Sequence, residues 1–254
     1  MSVLTEIAAG VYVATSEFAH TNSVVVAGTD GACMVIDPGV TVAELARLAA
    51  EITARGLRVS AAWSTHPHWD HVLWHPRLGS APRYAAPAAV RAAATSREAM
   101  IEAAEQSAPG QDRTLLGRLT PLASDAIEWA GPTATLIIHD AHAPGHGAVF
   151  LPDTGVIAVG DMCSDIEIPL LDMDAADPVG DYRTGLTRLA SVLSVRQVVP
   201  GHGHIGDGAE YRRRLAADMA YLDQLALGRP FDDPRIDQDW LRAAHEEQLR
   251  GTRS

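Results

Sequence analysis

The segment Thr65-His66-Pro67-His68-Trp69-Asp70-His71 constrains this chain more than any other. Three histidines and one aspartate fall within six residues, directly after the β-rich run 59–63. Where a strand passes into a turn, His66 and His68 can point the same way, because alternate residues share a face. Asp70 and His71 follow as the chain turns. Imidazole nitrogen suits zinc and similar ions, and a carboxylate adds an oxygen donor with charge. A metal site needs more donors than this run supplies, so lone His and Asp residues are expected at other strand ends.

They are present. His142 lies in His142-Ala143-Pro144-Gly145-His146, after the apolar run 133–139. Asp161 follows Val156-Ile157-Ala158-Val159-Gly160, and His202 sits in Pro200-Gly201-His202-Gly203 after Val198-Val199. Each alone reads as an ordinary turn or cap residue. Together with the cluster they make a ligand set of the right size.

The rest of the chain narrows the setting. Its 254 residues are enough for one large domain with a sizeable core, and the expectation is a single domain over 1–254. The formal charge is −12, and all 20 basic residues are Arg. A chain this acidic is repelled by nucleic-acid phosphates, so no nucleic-acid partner is expected. Arg212-Arg213-Arg214 is the one dense basic run and reads as a solvated helix face. Without Lys there is no lysine nucleophile or Schiff base. Cys33 and Cys163 are far apart and read as buried small hydrophobes. MSVLTEIAAG lacks a basic stretch followed by a long apolar one, and no run approaches a membrane span. A soluble cytoplasmic protein is the default; oligomeric state has no signal.

Local patterns predict strands at 11–14, 23–27 and 33–36, with Thr29-Asp30-Gly31 turning a hairpin. Thr41 and Glu44 fit a capping box, Leu45, Leu48, Ala49 and Ile52 line one helical face, and Gly56 fits the stop. Residues 87–106 read as helix and 107–118 as an exposed polar loop. Strands follow at 133–139, near 149–151 and at 156–159. Asp177-Pro178 starts a helix whose apolar face is Leu186, Leu189, Val192 and Leu193. After the strand at Val198-Val199, Asp207 and Glu210 start another helix, and 237–250 is a short terminal one. Interleaved strands and helices indicate a layered α/β or α+β domain.

These motifs, in this order from Asp37 to His202, resemble the metallo-β-lactamase superfamily. The resemblance implies an α+β fold, a four-layer αββα sandwich with metals at one edge of two packed sheets. It implies a first metal on His66, His68 and His142, a second on Asp70, His71 and His202, and Asp161 bridging them. Asp37 matches a family aspartate that orients a ligand from behind. His146 competes with His142: Pro144-Gly145-His146 mimics a family Pro-Gly-His. The His142 frame, with Ala143 for a common Thr, is the better match, leaving His146 to the pocket or outer layer.

Two divalent ions would acidify a shared water into a hydroxide nucleophile, with Asp70 or water protonating the leaving group. Zinc is the default, and iron or manganese uses the same donors. The family hosts many chemistries. An Asp at 161 differs from the family's β-lactamases, which commonly lack it. The leading expectation is hydrolysis of a small ester, lactone or thioester. Phosphodiester, organophosphate and β-lactamase-like amide hydrolysis are the alternatives. A mononuclear-iron sulfur dioxygenase and a non-catalytic binding module are the competing classes. Among the other histidines, His20 reads as a surface turn, His75 and His204 as outer-layer candidates, and His139 and His245 as structural or exposed. Asp165 reads as a pocket or capping residue, and Trp69 as a wall of the site or a core residue.

Overall fold

The computed structural model describes residues 3–252. Met1, Ser2, Arg253 and Ser254, the ends of the expected 1–254 domain, lie outside the described residues. In chain order the elements are β1 (Thr5–Ala8), β2 (Val11–Thr15), β3 (Asn22–Ala27), β4 (Ala32–Ile36), α1 (Val42–Ala54), β5 (Arg58–Trp63), β6 (Arg83–Ala85), α2 (Pro87–Thr95), α3 (Arg97–Ser107), β7 (Thr120–Pro121), β8 (Thr135–His139), β9 (His146–Leu151), β10 (Val156–Ala158), α4 (Pro178–Ala190), β11 (Gln197–Val199), β12 (Gly206–Asp207), α5 (Gly208–Ala226) and α6 (Asp239–Gly251). One sheet runs in sequence order from β1 to β7, and the other has the order β12-β11-β10-β9-β8.

Alternation along the strands builds three apolar layers. In β3 and β4, Val25, Cys33 and Val35 pack outward against Leu45, Leu48, Ala49 and Ile52 of α1. Their neighbours Val24, Val26, Met34 and Ile36 face inward and meet Val149, Leu151, Val156 and Ala158 of the second sheet. In that sheet Ala148, Phe150 and Ile157 turn to the far side, against Leu186 and Leu189 of α4, Tyr211 and Leu222 of α5, and Leu241 of α6. Strands covered on both faces read as continuous apolar runs, which is why β3, β4 and β9 show little polar alternation. The result is the expected αββα sandwich.

The helix starts are the residues their chemistry favours. Thr41 and Glu44 form the full capping box: Glu44 N–H donates to Thr41 Oγ1 at 3.2 Å, and Thr41 N–H donates to Glu44 Oε2 at 2.8 Å. Asp177 caps α4 with Pro178 at the first helical position, and Asp207 caps α5 through Glu210 N–H. Gly56 follows α1 with φ +71°, the left-handed stop that glycine adopts without strain.

Several expectations are corrected. The helix over 87–106 is two helices broken at Ser96, which ends α2 and precedes α3. The loop 107–118 is not wholly exposed: Leu116 is buried in the α1 layer, and Gln111 donates to Val40 O. Leu193 does not continue the face of α4, because that helix ends at Ala190 and leaves Leu193 88% exposed. Arg214 departs from the solvated run: it is buried and donates to Glu210 Oε1 and His204 O. His75, expected in the outer layer of the site, instead caps a short turn through Arg77 N–H, whereas His245 takes the structural one of its two expected places, buried against Tyr221. Strands β1, β6, β7 and β12 add to those the local patterns predict.

Parallel pairing positions the functional edge. β4 and β5 are parallel, and so are β10 and β11, so the carboxyl ends of each pair finish together, and the residues that follow β5, β10 and β11 meet at one edge. Behind that edge, β8 and β9 pair with His139 opposite His146, and their rings stack at 4.7 Å. His139 is buried, and burial, then the nearby Arg188, holds its imidazole down to about 4.

These contacts can be tested by substitution. Thr41→Ala should lower unfolding stability by about 1 kcal/mol, read as a lower urea midpoint at unchanged slope; an unchanged midpoint would remove the capping box from the account. The unfolded chain binds a proton at His139 between pH ~6.5 and ~4 that the folded chain refuses. Stability should therefore fall as pH drops through that window, by up to about 3 kcal/mol from this residue. His139→Phe should flatten the decline, and an identical pH slope in the variant would refute the assignment.

Candidate metal centre

Each donor sits just past a strand end. β4 delivers Asp37, and β5 delivers the 66–71 run, whose last three residues form a short 3₁₀ turn. The β8–β9 loop carries His142, β10 leads to Asp161 and β11 to His202. Asn22 of β3 binds the last loop across the sandwich, its side chain donating to Pro200 O at 2.9 Å and Gly203 O at 2.8 Å. Gly201 must be glycine, because a Cβ there would collide with Asp161 Oδ1.

Seven side chains converge. His66, His68, His142 and Asp161 form one group able to hold an ion, and Asp70, His71 and His202 form a second. Asp161 stands between them. Its Oδ2 is 3.3 Å from His66 Nε2 and 3.5 Å from His142 Nε2, and its Oδ1 is 3.2 Å from His71 Nε2. His202 Nε2 lies 3.2 Å from Asp70 Oδ2.

The outer hydrogen bonds determine which nitrogen each ring turns inward. Asp37 Oδ2 is 3.0 Å from His71 Nδ1, so that nitrogen carries the proton and donates. Thr65 gives its hydroxyl proton to Asp37 Oδ2 at 2.6 Å, so Thr65 Oγ1 can only accept from His66 Nδ1 at 2.9 Å. His142 Nδ1 donates to Leu170 O at 2.7 Å, and His202 Nδ1 to Ala19 O at 3.1 Å. In the neutral form of each of these four rings the Nε2 lone pair points into the cluster.

Lone pairs aimed at one another need a cation. His71 Nε2 and His202 Nε2, both turned inward by the outer hydrogen bonds, are 3.3 Å apart. His66 Nε2 and Asp161 Oδ1 are buried without any hydrogen-bond partner. Buried polar atoms are rarely left unpaired, and this donor set of imidazole and carboxylate fits divalent metal ions.

The electrostatics agree. Burial pushes Asp161 up, but His71, His202 and His66 outweigh it and hold the carboxyl well below the usual range. Burial, then His68, holds His142 down to about 4, keeping it neutral as a ligand must be. Burial opposes charge on His71 and His202, yet the adjoining carboxylates raise both rings well above the ordinary value. Excess negative charge thus draws protons into positions a metal would take.

The remaining sequence candidates fall outside this set. His146 lies behind it, stacked on His66 at 5.1 Å, with neither ring nitrogen hydrogen-bonded. Asp165 turns away from the cluster to His204 and Arg214. Trp69 and His20 line the cavity in front of the cluster. Sequence reading missed Thr65 as a relay, and the acceptor carbonyls of Ala19 and Leu170, since a backbone oxygen has no sequence signature. It also missed Glu167, a lone acid within no motif. Glu167 is 7% exposed and lines the cavity, and burial pushes its carboxyl up to about 7.

The cavity has a volume of about 990 Å³ and opens over the donors. Among the described residues no helix is long and apolar enough to cross a membrane.

Comparison with known proteins places this arrangement. A beta-lactamase domain protein from Burkholderia ambifaria superposes with a TM-score of 0.71 at 20% identity, over 98% of this chain and 86% of its own. A metallo-beta-lactamase family protein from Thermus thermophilus superposes with a TM-score of 0.67 at 21% identity, over 95% of this chain and 93% of its own. TTHA1623, solved in a di-iron-bound form, matches with a TM-score of 0.61 at 25% identity, over 80% of this chain and 97% of its own. No curated protein matches the sequence. The metallo-beta-lactamase superfamily profile matches residues 17–202, which span every donor described above. With that match covering well over half of its length, the chain belongs to the metallo-beta-lactamase superfamily.

Proposed function

We propose that this protein is a dinuclear metallohydrolase acting on a small carboxylic ester, lactone or thioester. His66, His68 and His142 would hold one divalent ion, Asp70, His71 and His202 the other, and Asp161 would touch both. The observation that carries this reading is the position of Asp161, in reach of both groups: one carboxylate oxygen faces His71 and the other faces His66, His142 and His202. Bound divalent ions supply a water acidified to about pKa 7 and a Lewis acid for the scissile carbonyl.

The chain's own residues do the rest. Asp37 and Thr65 hold two rings in the ligating tautomer. Asp70 belongs to the cluster and also lines the cavity, so its carboxylate can take the proton of the attacking water and return it to the leaving oxygen. Burial of most of these side chains lowers the local dielectric and strengthens each of these interactions. Zinc is favoured by the imidazole-rich set, and the di-iron form of TTHA1623 makes iron the first metal to count beside it.

Elemental analysis of purified protein should find close to two metal ions per chain. Asp161→Ala should lose at least one of them and most hydrolysis of a 4-nitrophenyl ester or lactone; an unchanged metal content and rate would overturn the bridging role. Asp37→Asn should retain the fold and weaken metal affinity or turnover by roughly 10-fold to 100-fold. Wild-type values in that variant would show that His71 needs no orienting partner.

A further inference from the structure

The pairing of β10 with β11 ends before the donors are reached. The last paired residues are Ala158 and Val199, and Asp161 and His202 each lie three residues further on. Two backbone bonds continue the contact, Val159 N–H to Val199 O at 2.9 Å and Gly201 N–H to Gly160 O at 2.6 Å. Past the donors the two loops are joined by side chains. Ser164 Oγ donates to His202 O at 2.7 Å. Asp165 Oδ1 accepts from His204 N–H at 2.8 Å, and its Oδ2 is 2.8 Å from His204 Nδ1.

The loop after Asp161 is strained. Cys163 has φ +54°, a left-handed conformation uncommon in residues other than glycine. Such backbone persists only where its surroundings hold it. Here α5 takes both peptide groups of the strained residue. Cys163 N–H donates to Asp218 Oδ2 at 3.1 Å, and Cys163 O accepts from Arg214 Nη1 at 3.3 Å. Arg214 and Asp218 are four residues apart and so share one face of the helix. Arg235 pairs with Asp218 and also donates to Ser164 O at 3.4 Å.

Arg214 reaches the other loop as well. The same Nη1 donates to His204 O at 2.8 Å, Nη2 lies 3.6 Å from Asp165 Oδ1, and Nε donates to Glu210 Oε1 at 3.0 Å. The residue is 5% exposed. A buried guanidinium that loses its acceptors bears the full cost of desolvation, so these bonds resist separation of the two loops.

Between the loops lies the second metal position. Asp161 Oδ2 and His202 Nε2 are 3.4 Å apart. Ligand distances around a divalent ion tolerate shifts of only about 0.2 Å. The three histidines of the first set come from elsewhere: His66 and His68 follow β5, and His142 lies in the β8–β9 loop. Arg214 and Ser164 hold neither of those segments.

We propose that Arg214 and Ser164 are positioning residues that lock the Asp161 loop to the His202 loop and so determine occupancy of the second metal position. The inference rests on the two-metal reading above.

The test titrates metal-free protein with zinc against a chromophoric chelator and reads both dissociation constants. Arg214→Met keeps a long stem without donors. It should weaken the second ion by at least about tenfold and the first by less than about threefold. Ser164→Ala removes the bond to His202 O and leaves α5 intact. It should weaken the second ion by at least about threefold, and it carries the test should Arg214→Met not fold. In each variant the tighter ion should be lost on adding His142→Ala and kept on adding His202→Ala. A general loss of stability would weaken both ions alike. Equal weakening of the two ions, weakening of the first alone, or unchanged constants in both variants would overturn the proposal. A wild-type chain that takes up fewer than two zinc ions would sink the two-metal reading and this inference with it. Two ions in the wild type with unmoved variants would sink the lock alone.

Discussion

One carboxylate organises this site. Asp37 ends β4 in a left-handed backbone conformation, φ +46°, that Asp tolerates better than most residues. From there its two oxygens accept from Thr65 N–H, the Thr65 hydroxyl and His71 Nδ1. Through Thr65 the same group sets the tautomer of His66. A single buried acid therefore ties two parallel strand ends together and aims two imidazoles. An isosteric amide has only one acceptor oxygen for three donors.

The cluster that results is unstable as a set of bare side chains. Histidine lone pairs and carboxylates converge within hydrogen-bonding distance at the floor of a cavity, all but His68 buried or half-buried. Unpaired polar groups are costly there for the reason that makes such a site useful: low local dielectric strengthens every charge interaction. The apolar layer between the sheets, with Val24, Ile36 and Val149 among its members, holds the strands rigidly enough to maintain this tension. The donors open onto the cavity in front of them.

Local chemistry made much of the fold legible. The starts of α1, α4 and α5 were readable because Thr41, Asp177 and Asp207 satisfy exposed helix N–H groups through short-range bonds. Long apolar strands were readable by their runs. The break at Ser96 was not, since both flanking segments are good helix formers and the bend serves packing rather than propensity. Short strands such as β6 and β7 carry too few residues for a periodic signal. Arg214 looked like its solvated neighbours because only the packing of α5 on the Cys163 segment brings it to Cys163 O and His204 O.

The sequence by itself determined the donor types, their order and their strand-end positions, because metal chemistry restricts the residues and turn chemistry places them. It also excluded lysine chemistry by composition. Tertiary structure alone decided that His142 joins His66 and His68 while His146 stacks behind them, a choice made by the path of the β8–β9 loop and the Leu170 carbonyl. It alone brought Glu167 to the cavity. These are contacts between residues far apart in the chain, set by how the two sheets and their helices close on each other, and no local pattern encodes them.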